Sequence, residues 1–268
     1  MTKPLEDILR EIKLDILRMF YGSGTGHLAS AFSCVEILTA LYFYDYSDAD
    51  RIILSKGHGV GAIYPILAYK GKIPKTELKS FYGCGSRLLA LASPTVPGIE
   101  IPTGSLGQGL CFAAGLAKAY KLDKKKEHIY CVIGDGEMQE GSIWEAALFA
   151  GNHNLNNLVV ILDNNKIQAS CRCEDISSLE PIIDKWTSFG FECIEINGHN
   201  LSEIINALDE VSKSVSEKPK FICANTVKGH GLPYIEDKPN CHMKNPKGNE
   251  WRDVCDKFKI SPKELGIL

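Results

Sequence analysis

No stretch of this chain approaches the ~18 consecutive apolar residues that a spanning helix needs, so no transmembrane helix is expected. The opening MTKPLEDILREIKLDILRMF is broken by charge throughout and shows no apolar core followed by a cleavage site, so it is not read as a signal peptide. Charge of one sign is also lacking. A formal net charge of -3 gives no argument for nucleic acid or a membrane surface as partner. The run Lys124-Lys125-Lys126 is short and reads as a solvated turn. There is no CxxC, and Cys171 and Cys173 stand too close for a metal pattern. The 10 scattered cysteines are therefore expected as reduced thiols in a cytoplasm, with oxidative pairing as the competing reading. Internal repeats and low-complexity tracts are absent.

What is present is a chain of 268 residues, 44% hydrophobic and 24% charged, the profile of one large α/β domain. Its centre is Ile133 to Ile167. An apolar run, Ile129 to Ile133, stops at Gly134-Asp135-Gly136. A helical pattern follows with Ile143, Ala146, Ala147 and Ala150 on one face. A second apolar run, Leu158 to Leu162, stops at Asp163-Asn164-Asn165. Strand, helix, strand forces a parallel sheet, and ligands of such sheets sit beyond the carboxyl ends of the strands. Asp135 and Asn165 both fall there. Glycines beside Asp135 allow close backbone approach, and a helix N-terminus after them favours an anion. A carboxylate, an amide oxygen and that terminus suit a divalent cation holding a diphosphate.

The same alternation runs along the rest of the chain. Residues 4–20 read as an amphipathic helix carrying Leu5, Ile8, Leu9, Ile12, Ile16 and Phe20. The loop GSGTG, three glycines in five residues, then places His27 at a helix entrance, with Ser30 or Ser33 capping a helix from Cys34 to Phe43. Arg51 to Leu54 reads as a strand, with His58 beyond its end and a helix from Val60 to Tyr69. Pro74 opens a short helix over 74–82, and a glycine-rich start leads into a helix ending at Tyr120. Glu140 reads as a first-turn residue that complements the helix dipole. Helix is expected over 180–189, 201–211 and 250–257, and strand over 192–196 and 220–224. The polar segment Leu232 to Gly248 is long enough to be a functional loop.

GDG followed about thirty residues later by NN resembles the thiamine diphosphate fingerprint. The texts GDGEMQEGSIWEA, NNKI, SKGH, TGSLGQG and TVKG resemble transketolase, as does CHMKNP beside that family's WHGKAP. The resemblance covers nearly the whole chain. It implies an α/β fold, a parallel sheet flanked by helices on both faces, of the thiamine diphosphate-binding (PP-domain) kind. It implies one domain over residues 1–268, closing with an irregular loop and short helix from residue 226. By resemblance Asp135, Asn165 and the carbonyl of Ile167 ligate Mg2+, for which Ca2+ or Mn2+ can substitute. His58, Gly104, Leu106, Gly134, Asp135, Gly136, Glu137, Asn165 and Ile167 hold the cofactor. His27, His58 and His242 contact substrate or carry protons. Glu140 joins a carboxylate network at an interface between protomers.

The chain also departs from the pattern. The family carries a His-Pro shortly before the Pro-Gly that is Pro97-Gly98; here Leu and Ala stand there, with no His between His58 and His128. Ala169-Ser170-Cys171 replaces the family's Ile-Asp-Gly, and Met243 and Asn245 replace a glycine and an alanine. The first departure makes a donor pocket more apolar. The resemblance covers only the diphosphate-binding part of a transketolase. The implied partner is a separate chain bearing the pyrimidine-binding (PYR) domain, in an α2β2 assembly acting on a small sugar or keto substrate. The implied reaction moves a two-carbon ketol unit from a ketone donor to an aldehyde. Three alternatives stand beside it: a 2-oxoacid decarboxylase or dehydrogenase α chain, a deoxyxylulose-phosphate-synthase-like carboligase, and a non-catalytic cofactor-binding partner.

Overall fold

Five short segments become strands: β1 (Arg51–Leu54), β2 (Ile129–Gly134), β3 (Leu158–Asn164), β4 (Glu192–Asn197) and β5 (Lys220–Asn225). The structure is a computed structural model that describes residues 3–44, 47 and 49–266. The strands form one sheet in the order β1-β2-β3-β5-β4, and every pairing is parallel. Ten helices connect and cover them among the described residues: α1 (Leu5–Ser23), α2 (Leu28–Phe43), α3 (Ile63–Tyr69), α4 (Gln108–Leu122), α5 (Gly141–Asn152), α6 (Cys173–Ile176), α7 (Ile182–Ser188), α8 (Leu201–Lys213), α9 (Glu250–Phe258) and α10 (Pro262–Leu265).

Successive strand residues point to opposite faces. Ile129, Cys131, Ile133, Leu158, Val160 and Leu162 join a core with α4, α5 and α7. Tyr130, Val132, Val159 and Ile161 join the other core, with α1, α2, α3 and α8. Covering a parallel sheet on both faces explains why the central strands read as unbroken apolar runs. The same alternation carries on to Asp163, which turns toward α2.

Helix α1 ends where Gly24 adopts φ 65° and donates its N–H to the Phe20 carbonyl. Gly26 adds a second positive φ of 111°. This double reversal lets α2 begin at Leu28, six residues before the expected Cys34. Neither Ser30 nor Ser33 caps it; His27 holds the N-cap position without a side-chain cap bond. Every residue from Leu28 to Tyr42 is buried, as befits a helix apolar on nearly all sides. Residues 57–62 form a 3₁₀ turn ahead of α3, and Pro74 precedes a 3₁₀ segment, Lys75–Ser80. A 3₁₀ turn, Gly136–Gln139, also separates Asp135 from α5. Glu140 is thus the N-cap of α5 rather than a first-turn residue, it makes no side-chain cap bond, and it is exposed. Helices α9 and α10 return to α1, where Trp251 meets Tyr21 edge-on at 5.4 Å between ring centroids.

Candidate cofactor and metal site

Parallel strands share one carboxyl-terminal rim, and the polar ends of β1, β2, β3 and β5 meet there. Asp135, only 3% exposed, follows β2. Its Oδ1 accepts the Gly136 N–H at 2.7 Å, and its Oδ2 accepts the Lys166 N–H from beyond β3. Two strand ends are therefore tied through one carboxylate. Burial, with Asp163 nearby, pushes Asp135 up to about 6, so a cation here would gain an under-solvated ligand. A side chain at Gly136 would begin 2.6 Å from the Gln168 Cβ, so only glycine keeps that backbone open.

Asn165 is buried beyond β3. Its Nδ2 donates to Ser33 Oγ at 3.1 Å and to Asp163 Oδ2 at 3.2 Å, while its Oδ1 accepts the Ile167 N–H at 3.1 Å. The Ile167 carbonyl accepts from Lys228 Nζ at 2.9 Å. Among the described residues no three His, Cys, Asp or Glu side chains gather to hold a metal ion on their own. One carboxylate, one amide oxygen and one carbonyl make an all-oxygen partial set. That set would suit a hard divalent cation such as Mg2+.

Three histidines from distant parts of the sequence meet at this rim. The ring centroids of His27 and His58 are 5.6 Å apart, of His27 and His242 4.7 Å, and of His58 and His242 5.4 Å. Burial, then the charges of Lys228 and Lys56, lowers His27 to about 4. Burial and Lys228 lower His242 to about 4 as well, and burial and Lys56 hold His58 well below its ordinary value. All three are neutral imidazoles at pH 7, each offering one donor and one acceptor. His27 Nδ1 is buried with no hydrogen-bond partner among the described residues.

Gly104 adopts φ +135°, and the side chain of Leu91 packs where a Cβ would stand, 2.7 Å from its Cδ1. The Thr103 N–H donates to the Ala92 carbonyl at 3.2 Å, and the Tyr64 hydroxyl donates to the Leu89 carbonyl at 2.8 Å. The segment that departs from the family is thereby fixed beside Gly104. It presents Leu89 and Leu91, 47% and 42% exposed, in the stretch where the resembled family carries His-Pro. Leu106 lies half-buried on the same loop. Cys173 is buried, and burial with the nearby Asp135 pushes its thiol up to about 12. It is a packed thiol, not a nucleophile.

Glu137, expected beside the cofactor, has its carboxylate engaged within the chain. Its carboxylate accepts from the Ser55 hydroxyl, from the Gly107 N–H at 2.8 Å and from the Gly134 N–H at 3.1 Å. It fastens the loops after β1, before α4 and after β2 to one another. Gly134 serves that joint too. Sequence reasoning missed Lys56, Asp163 and Lys228, all nearly fully buried. Lys56 pairs with Asp163, whereas Lys228 finds the Ile167 carbonyl, the Gln168 carbonyl and, at 3.5 Å, His242 Nδ1. A buried ammonium held by carbonyls favours an anion nearby. The signal for Lys228 was its place in TVKG just beyond β5, the same rim position as Asp135 and Asn165.

The fold and rim define a thiamine diphosphate-binding α/β domain. Residues 22–265 match the family described as transketolase, thiamine diphosphate binding domain, and the chain belongs to that family. Its reaction class is that of the thiamine diphosphate-dependent transferases. It is 38% identical to the 6-deoxy-6-sulfo-D-fructose transketolase subunit SqwG of Clostridium sp. (strain MSTE9), with 92% of each chain covered. It is 40% identical to an apulose-4-phosphate transketolase subunit of Actinobacillus succinogenes, over 87% of this chain and 88% of that one. Among solved structures, the transketolase from Leishmania mexicana superposes with a TM-score of 0.89 at 26% identity, over 98% of this chain and 42% of that chain. The chain thus spans less than half of that enzyme. These relatives do not favour the oxoacid, deoxyxylulose-phosphate-synthase-like or non-catalytic alternatives.

Proposed function

We propose that this chain is the diphosphate-binding subunit of a two-component transketolase. It acts as a single domain with a second chain that carries the PYR domain, in a cytoplasmic α2β2 assembly. The reaction transfers a two-carbon ketol unit from a ketose or related ketone to an aldehyde acceptor. The observation that carries this reading is the meeting of Asp135, Asn165 Oδ1 and the Ile167 carbonyl with three neutral histidines on one rim. The names of the relatives, transketolase subunits for a sulfofructose and for an apulose phosphate, support a ketose with a modified far end.

Asp135, Asn165 and Ile167 would hold Mg2+, and Gly104, Leu106 and the Gly136 N–H would line the cofactor. When bound, thiamine diphosphate supplies the electron sink for carbon–carbon cleavage. His27, His58 and His242 orient donor hydroxyls through neutral hydrogen bonds and pass protons between adjacent oxygens. Lys228, held by carbonyls rather than by a carboxylate, gives the floor of the site positive charge toward a diphosphate, whereas Lys56 is neutralised by Asp163. Glu140 is exposed, and Phe112 on α4 with Leu148 and Phe149 on α5 leave apolar surface uncovered. This supports a partner seated on that face.

The test is native mass spectrometry of the tagged chain purified from its own cells with thiamine diphosphate and Mg2+. Two copies of this chain, two of a PYR-bearing chain and two cofactors are expected, together with ketol transfer from a ketose panel. Asp135→Ala should abolish Mg2+-dependent cofactor uptake. A lone chain without cofactor, or uptake that survives this substitution, would refute the reading.

A further inference from the structure

The amide of Asn165 can present either oxygen or nitrogen to a cation, and only its oxygen is a ligand for a hard divalent ion. What decides is the set of groups around it. On one side stands Asp163, fully buried at the end of β3. Its Oδ1 accepts from the Ser33 hydroxyl at 2.7 Å and from the Thr226 hydroxyl. Its Oδ2 accepts from the Lys56 ammonium and from Asn165 Nδ2 at 3.2 Å. On the other side stands the Ile167 N–H, which needs an acceptor and finds Asn165 Oδ1 at 3.1 Å. Ser33 Oγ donates toward Asp163 and accepts from the same Nδ2 at 3.1 Å.

We infer that Asp163 is the positioning residue that makes Asn165 a metal ligand, by holding its amide nitrogen inward and so aiming its oxygen at the rim; this rests on the metal reading above. Turning the amide over would set its oxygen against the Asp163 carboxylate and its NH2 against the Ile167 N–H. Both contacts would become repulsive. Asp163 itself cannot serve as the ligand, because donors from α2, from the loop after β1, from beyond β3 and from beyond β5 occupy its oxygens. Lys56 neutralises it, so a cation at the rim meets the charge of Asp135 rather than of two acids. The four donors also tie four chain segments to one point, which fixes the aim of the amide as the site fills.

The test uses the complex purified through a tag on this chain, with Mn2+ as the probe. Free Mn2+ is read by electron paramagnetic resonance in the presence of thiamine diphosphate, with no turnover needed. Asp163→Leu combined with Lys56→Met removes the pair without leaving a buried charge. Mn2+ affinity should fall about 10–100-fold, the usual loss when a group orienting a metal ligand is removed. Adding Asn165→Asp to that double variant places oxygen on both faces and should restore binding, a rescue that a merely structural role for Asp163 would not give. Should the double variant fail to fold, Ser33→Ala removes one of the two acceptors of Nδ2 and should weaken Mn2+ in the same direction, while the metal-free complex still melts cooperatively, at a temperature lowered by the lost bond to Asp163. A folded double variant, or Ser33→Ala, that binds Mn2+ within about twofold of the parent overturns the inference. A parent complex that takes up no Mn2+ with the cofactor instead overturns the proposed function, so the two failures are distinct.

Discussion

Glu137 offers the sharpest test of how the rim is assembled. Its buried carboxylate receives three donors from three loops, one of them the hydroxyl of Ser55 and two of them backbone N–H groups of Gly107 and Gly134. Oε1 takes Ser55 and Gly107, and Oε2 takes Gly134. In Glu137→Gln the side chain keeps its size, but an NH2 must face at least one of these donors. Hydrogen bonds to a charged group are each worth about 1.5–3 kcal/mol, and a buried donor left unpaired costs about 1–3 kcal/mol. Loss of one such bond therefore destabilises by about 1–3 kcal/mol. Glu137→Ala strands all three donors and opens a small cavity. The losses overlap, so about 3–5 kcal/mol is expected, the range seen when one partner of a buried charged network is removed. In a domain of this size each kcal/mol lowers the melting temperature by about 2–4 °C. The assay is urea unfolding followed by tryptophan fluorescence, with hydrogen exchange at the Gly107 and Gly134 amides as the local readout. The Gln variant should lose stability and protection together. Unchanged stability with those two amides still protected would refute the argument that Glu137 ties the loops.

Trp186 is fully buried, stacked on Phe221 at 4.1 Å and edge-on to Phe191 at 4.9 Å, so Trp186→Ala should cost about 3–5 kcal/mol in denaturant titration. A loss below about 1 kcal/mol would mean that the site collapses around the gap. His27 and His242 sit at about 4 in the folded chain, below the ~6.5 of an unfolded histidine. The unfolded chain therefore binds more protons between these values. Cofactor-free stability should be flat above neutrality and fall as pH drops from about 6.5 toward about 4. Melting curves across that range check the sign, and replacing both residues with Asn should flatten the slope; a stability that rises on acidification contradicts the assignment.

Much of the fold was legible because it is written in local periodicity. The apolar runs at Ile129–Ile133 and Leu158–Leu162 gave β2 and β3, and the boundaries of β4, β5 and α8 fall within about two residues of the spacing. The rim positions of Asp135 and Asn165 follow from that alternation alone, since the sheet is parallel and the residues stand just past strand ends. Local rules failed where a distant group intervened. Ser33 looks like a helix cap in sequence, yet two glycines with positive φ start α2 earlier and leave its hydroxyl for Asp163. Glu137 stands beside the rim glycines in sequence, but only packing shows that its carboxylate joins three loops.

The sequence by itself determined the order of elements, the two faces of the sheet and the residues that stand at its rim, because those depend on spacing along the chain. Only the tertiary structure decided which way the Asn165 amide turns, that Lys228 reaches the Ile167 carbonyl, and that His27, His58 and His242 share one space. Those contacts join residues far apart in sequence, and their geometry comes from how α2, the loop after β1 and the loop after β5 pack against the end of β3.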